Sequence, residues 1–200
     1  VIAALYVDPC GAYAGLPDVD LWDEARDARL YAGPYPVVAH PPCAKWSPLA
    51  YINQARLVGY RVGDDGGCFA HALEAVRHFG GVLEHPAGSL AWRKYGLPRP
   101  TRGAWSASLP EMIDGWVTEV SQSAYGHRAR KRTWLYAVGC ALPDLDWSEP
   151  DTDAIVSGFL HRAGTDETRR VRPAEAAATP QAFRDVLLEM ARSVSREAVA

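Results

Sequence analysis

The segment Val37-Val38-Ala39-His40-Pro41-Pro42-Cys43, followed by Ala44-Lys45-Trp46-Ser47, restricts the architecture more than any other part of this chain. A short apolar run ends at two prolines, with a cysteine directly after them. Proline has no N–H and a fixed φ, so neither a central strand nor a helix interior continues through this pair. The chain must leave a sheet here on a stiff path. Open α/β sheets carry their chemistry outside the C-terminal ends of strands, which makes Cys43 a candidate nucleophile.

The flanking pattern supports a sheet with helices. Residues 2–7 read as a buried strand ending at Asp8-Pro9, and 10–17 as a Gly/Pro loop. The charged stretch 20–31 predicts a short helix broken at Gly33-Pro34, and 36–40 a second strand. Cys68 to Phe79 has helical periodicity in Phe69, Leu73, Val76 and Phe79, and Gly80-Gly81 ends it. Val82-Leu83-Glu84 predicts a short strand stopped by His85-Pro86. Residues 116–120 alternate like a strand and 133–138 form another. Thr179-Pro180 precedes a terminal helix over 183–191. Strands alternating with helices imply an α/β fold, with a mainly parallel sheet covered on both faces.

The chain has 200 residues, 48% of them hydrophobic, and a net charge of −3, as expected for a globular protein with one sizeable core. No apolar run approaches the ~20 residues of a membrane span. The first residues lack the basic leader of a signal peptide and read as a strand. Cys10, Cys43, Cys68 and Cys140 are scattered, with no CxxC pair. That argues against a disulfide framework or a zinc ribbon and for a reducing cytoplasm. Cys68, His71 and His78 share a helix face, but packing accounts for them and no metal is expected. There is no P-loop and no Ser-His-Asp signature.

Charge is unevenly distributed. Between Arg93 and Arg132 there are eight Lys or Arg against three acids, Glu111, Asp114 and Glu119. Between Asp144 and Glu167 seven acids face Arg162 alone. A basic zone with tryptophans nearby suits a phosphate-bearing partner. The acidic stretch 144–153 looks unsuited to DNA. Its Pro, Asp and Ser content permits a loop that closes over the active site, and equally a tether.

Three segments taken together are the most informative. They are His40-Pro41-Pro42-Cys43, then Val82-Leu83-Glu84-His85-Pro86, then Tyr125 to Leu135 with Arg128, Arg130 and Arg132. Their order and content resemble the DNA cytosine-5 methyltransferase family over roughly residues 36–138. That family has a Pro-Cys nucleophile loop, a Glu-Asn-Val strand end and a Gln-x-Arg-x-Arg segment leading into a strand. The resemblance implies a Rossmann-like methyltransferase scaffold and C5 methylation of cytosine in DNA through a covalent cysteine adduct at C6. It makes Cys43 the nucleophile, Glu84 the group that stabilises the ring, and Arg130 and Arg132 the groups that position base or phosphate. It implies S-adenosylmethionine as donor, with Tyr6, Asp8, Gly11, Asp23 and Pro41 at the cofactor. His40, Trp46, Ser47, His85 and Arg128 fall on the substrate side. Nearby arginines are expected to raise the thiolate fraction of Cys43. Alternate arginines on a strand point one way, so Arg128, Arg130 and Arg132 are expected to line one surface.

The departures from the family pattern are specific. The Phe-x-Gly-x-Gly loop is replaced by Asp8-Pro9-Cys10-Gly11-Ala12-Tyr13-Ala14-Gly15. The chain between the first strand and the Pro-Cys loop is short, which predicts a cofactor half truncated by a helix or a strand–helix unit. Asp20, Asp23 or Asp27 would then supply the ribose carboxylate. His40 and His85-Pro86 replace small residues and Asn-Val, and Gln122 lies upstream of the family's glutamine offset. The organisation expected is a catalytic domain over 1–140, with an acidic loop and a helix over 141–200 docking on it, as in a compact phage-like enzyme. Amino-group methyltransferases, with their Asp/Asn-Pro-Pro-Tyr/Phe motif, are a weaker likeness. A different one-carbon donor, a free pyrimidine nucleotide as substrate, and a non-catalytic DNA-binding remnant are the alternative functions.

Overall fold

The computed structural model describes residues 1–107, 115–154, 156 and 171–195. Glu111, Asp114 and the acidic residues from 157 to Glu167 lie outside the described residues. Among the described residues, seven strands form one sheet in the order β2-β1-β3-β4-β7-β6-β5. They are β1 (Ile2–Leu5), β2 (Val19–Trp22), β3 (Val37–Ala39), β4 (Gly81–Pro86), β5 (Ser106–Ala107), β6 (Trp116–Ser121) and β7 (Arg132–Val138). The helices are α1 (Ala50–Arg56), α2 (Cys68–Phe79), α3 (Leu90–Lys94), α4 (Pro173–Ala177) and α5 (Gln181–Arg192).

The sheet is mixed. β2, β1, β3 and β4 run parallel, whereas β7 is antiparallel to both β4 and β6, and β5 to β6. The expected mainly parallel sheet is therefore corrected to a parallel half joined to an antiparallel half. The stretch 20–31 is likewise not a helix. Val19–Trp22 is an edge strand, followed by turns and a 3-10 turn at Ala28–Leu30. Its charges misled because an edge strand is only half-buried and tolerates them. Asp20, for instance, accepts a hydrogen bond from Trp22 Nε1 at 2.8 Å.

Side-chain alternation divides the core in two. Ala3, Leu5, Val37, Ala39 and Leu83 face Phe69, Leu73 and Val76 of α2, together with Ala91 and Trp92 of α3. Ile2, Ala4, Val38 and Val82 face Phe183, Leu187, Leu188 and Ala191 of α5. Burying each such leucine or phenylalanine contributes roughly 1.5–3 kcal/mol. Arg184 Nη1 donates to the Ala12 carbonyl at 2.7 Å, and Arg192 pairs with Asp18 at 2.7 Å. Both contacts tie α5 to the chain following β1. Among the described residues, no helix is long and apolar enough to cross a membrane.

The junction from α2 into β4 is sterically demanding. Gly80 (φ 74°) and Gly81 (φ 120°) are both left-handed, and a β-carbon at Gly81 would run into the Val37 backbone. Gly81→Ala is expected to destabilise the fold by about 3 kcal/mol or more. Gly67→Ala, at φ 83° with nothing near the added methyl, is expected to lose only about 1 kcal/mol. Urea unfolding midpoints of the two variants test the difference.

Candidate functional site

Topology gathers the site at one edge of the sheet. The parallel strands β1, β2, β3 and β4 all end there, and antiparallel β7 starts there, with Pro86 paired to Thr133. β6 ends beside it, with Ser121 opposite Arg132, and continues into a 3-10 turn at Gln122–Tyr125. β1 lies between β2 and β3, so the strand order reverses there. The crevice outside such a reversal is where open sheets bind ligands.

A buried carboxylate organises this edge. Glu84 is 6% exposed. Its Oε2 accepts from His40 Nδ1 at 3.1 Å, and its Oε1 accepts from Gln122 Nε2 at 2.8 Å and from Thr133 Oγ1 at 3.3 Å. On its other side, His40 Nε2 lies 2.8 Å from Tyr13 Oη. One proton arrangement satisfies the whole chain: Tyr13 O–H donates to Nε2, and Nδ1–H donates to Glu84. Burial acting alone would raise the Glu84 carboxyl. The hydrogen bond from His40 and the positive charge of Lys131 overcome it and hold the group down at about 2.

Cys43 is exposed. Burial of its sulfur and the nearby charge of Glu84 both push the thiol above its ordinary value, while Lys131 opposes them. The expected activation by arginines is corrected: the cation acting on Cys43 is Lys131, and the thiol keeps its proton at neutral pH. Arg130 and Arg132 are engaged elsewhere. Glu149 Oε1 lies 2.7 Å from Arg132 Nε and 3.6 Å from Arg130 Nε. Arg128 instead pairs with Glu175 at 3.1 Å. Since β7 begins only at Arg132, Arg128 and Arg130 precede the strand, and the three do not line one surface.

The remaining substrate-side residues divide by face. His85, next to Glu84 on β4, points to the opposite side of the sheet. It is 1% exposed there, stacked near Trp92 and edge-on to Phe69. Trp46 is in the same core, 2% exposed, with Nε1 donating to Asp65 Oδ2 at 2.8 Å. It is not an open stacking platform beside Cys43. One edge of it reaches a cleft of about 370 Å³ lined by Trp46, Tyr51, Gln54, Val62, Leu90, Arg93 and Lys94. Ser47 Oγ accepts from Leu49 N at 3.2 Å and shapes the entry to α1.

The residues assigned to a cofactor follow the C-terminal ends of the parallel strands. Tyr6 directly follows β1, in a left-handed conformation (φ 61°), with its hydroxyl 3.0 Å from His71 Nδ1. Asp8 accepts from Cys10 N at 2.9 Å, and the Asp8 carbonyl accepts from Gly11 N at 2.9 Å. Gly11 thus closes the loop on itself. Asp23 directly follows β2 and is half-buried, and buried Pro41 directly follows His40. The Asp23 carboxylate accepts from Arg26 N at 2.8 Å in the turn that follows β2. Among the described residues, no three His, Cys, Asp or Glu side chains cluster as a metal site.

Sequence reading missed four participants: Tyr13, Gln122, Lys131 and Glu149. Gln122 lies off the family's offset from the arginines, yet the turn after β6 folds it directly against Glu84. Comparison with protein-family models, with curated proteins and with solved structures finds no match to this chain.

Two buried groups contribute to the loss of stability in acid. Burial holds His85 neutral, down at about 4 from an ordinary 6.5. The unfolded chain therefore binds the extra proton between those values, and stability falls as pH drops through that window. Glu84 adds its loss lower down, as pH falls from its ordinary 4.5 toward about 2. Urea unfolding of His85→Phe is expected to show a flatter pH slope between 6.5 and 4, by up to about 1.4 kcal/mol per pH unit. Glu84→Gln flattens only the lower limb.

Proposed function

We propose that this chain modifies cytosine in DNA at C5, in the manner of the cytosine-5 methyltransferases it resembles. The observation that carries this reading is the pairing of Cys43, an exposed residue with a partly desolvated sulfur in the turn after β3, with an ionised, tightly held Glu84 near the end of the neighbouring strand β4. The strand order adds support. The parallel run β2-β1-β3-β4 is the doubly wound order 3-2-1-4-5 with its outermost strand removed. A cofactor half shortened as the resemblance implies would have this order.

Cytosine C5 is a weak nucleophile until sulfur adds at C6. In the proposed step the Cys43 sulfur bonds to C6 and its proton passes to N3, while the C5–C6 double bond opens into an enamine. A protonated thiol beside an ionised carboxylate suits this exchange, because Glu84 accepts hydrogen bonds from N3–H and from the exocyclic amine. Its own donors, His40, Gln122 and Thr133, hold it in place before substrate arrives. S-adenosylmethionine, the donor implied by the resemblance, would supply an electrophilic methyl group when bound, and Tyr6, Asp8, Gly11, Asp23 and Pro41 are the residues that would hold it. After C5 is alkylated, loss of the C5 proton to solvent expels the Cys43 thiolate, which recovers the proton held at N3. The basic cleft with Arg93, Lys94 and Tyr51 suits the path of a nucleic-acid strand.

DNA containing 5-fluorocytosine tests the nucleophile and the substrate together, because fluorine at C5 blocks the final elimination. Wild type with S-adenosylmethionine is expected to give a denaturant-resistant protein–DNA band, absent in Cys43→Ser. Glu84→Gln should slow its formation by about 10²–10³-fold. Gln122→Ala, which loosens the carboxylate without touching the base, should slow it by about tenfold. Failure of the wild type to form the band refutes the reading in favour of a DNA-binding remnant or a free-nucleotide substrate.

A further inference from the structure

The acidic segment 144–153 is neither a tether nor a free loop where it crosses the basic edge of the sheet. Trp105 Nε1 donates to the Pro143 carbonyl at 3.0 Å, and Asp146 N donates to Tyr125 Oη at 2.8 Å. Leu145 is buried in the α5-side core. From these anchors the chain delivers Glu149 into a ring of guanidinium groups. Arg132 Nε and Nη2 donate to its two oxygens at 2.7 and 3.0 Å, a two-pronged grip. Arg102 Nη2 donates at 2.7 Å from the loop before β5, and Arg130 stands at 3.6 Å. The Glu149 side chain is only 12% exposed, whereas those of Arg130 and Arg132 are each 46% exposed.

A planar fork that grips two carboxylate oxygens grips two phosphate oxygens equally well. Three arginines, Arg102 from the loop before β5 and Arg130 and Arg132 from the segment entering β7, exceed what one carboxylate needs for neutralisation. Asp151, the neighbouring acid, contributes little, since it is fully exposed and 3.8 Å from Arg130. Glu119 reaches Arg132 only at 3.9 Å and serves mainly as acceptor for Trp134 Nε1 at 2.9 Å. The arginine ring is thus organised around the position of Glu149.

We propose that Arg102, Arg130 and Arg132 form the seat of a nucleic-acid phosphate, and that Glu149 occupies it as an internal mimic which the phosphodiester must displace. This rests on the reading of the same edge as a DNA site and adds its regulation. The resting enzyme is self-blocked on the backbone-binding side. A strand bearing phosphates in the correct place opens it, whereas a free base does not. The strap 141–153 therefore selects a phosphate-bearing substrate over a free base or nucleoside.

Anisotropy of a short fluorescein-labelled duplex, measured with the full chain in a Cys43→Ser background, tests this without any dependence on catalysis. Glu149→Gln is expected to bind about tenfold more tightly than its parent, the scale of one lost charge-assisted competitor. Asp151→Asn makes the same change in net charge and should gain no more than about twofold. Arg132→Ala and Arg102→Ala should weaken binding and cancel the gain when combined with Glu149→Gln. Equal gains from Glu149→Gln and Asp151→Asn would reduce the effect to net charge and overturn the proposal, as would unchanged affinity or no binding by any variant. Circular dichroism confirming an intact fold for each variant excludes exposure of basic segments by unfolding. If Glu149→Gln tightens binding but wild type gives no fluorocytosine adduct, the phosphate seat stands and the catalytic reading falls.

Discussion

An ionised carboxylate inside a protein is tolerable only when donors surround it, and this requirement at Glu84 organises the functional edge. The donors come from separate places: His40 after β3, Gln122 after β6 and Thr133 on β7. No local segment supplies more than one of them. The charge is therefore satisfied only once the parallel half of the sheet has been joined to its antiparallel half. The same constraint reaches further through His40, whose second nitrogen meets Tyr13 in the loop after β1. Removing any of these donors weakens the hold on a charge that burial already opposes.

The mixed sheet explains why so many polar groups converge. In a wholly parallel sheet, one edge receives only strand ends. Here β7 reverses direction between β4 and β6, so its first residues join the ends of β3, β4 and β6. Lys131 immediately precedes that strand. It anchors on the Ala177 and Ala178 carbonyls at 3.2 and 3.0 Å and lends its charge to both Cys43 and Glu84. An acidic strap closes over the arginines at the same edge.

Local apolar patterning was enough to find β1, β3, β4, β6, β7, α2 and α5, because each has a buried face of regular period. It failed at β2, whose Asp20 and Trp22 satisfy each other on a half-exposed edge and break the pattern. It also failed at α1, where only Ala50 is buried and an amphipathic stripe is missing. Strand direction in the second half could not be read locally, since β6 and β7 are joined by a turn and an irregular segment rather than a tight hairpin. Within the candidate site, Cys43 and Glu84 stood out by type and order. Gln122 did not, because its proximity to Glu84 is created by the 3-10 turn and not by spacing along the chain. Glu149 looked like repulsion toward DNA in one dimension, and only the fold places it against Arg102, Arg130 and Arg132.

The neighbours Glu84 and His85 carry one last implication. Successive residues of β4 face opposite layers, so one projects toward the α5 layer and the other into an aromatic nest around Phe69 and Trp92. A shift of this strand by a single position would drive a charge among aromatic rings and leave an imidazole facing the amide of Gln122. Greasy flanking residues such as Val82 and Leu83 would accept either alignment almost equally. Polarity, not oiliness, therefore locks β4 in place against its two partners, and the residue proposed for chemistry doubles as the pin that sets the strand's alignment.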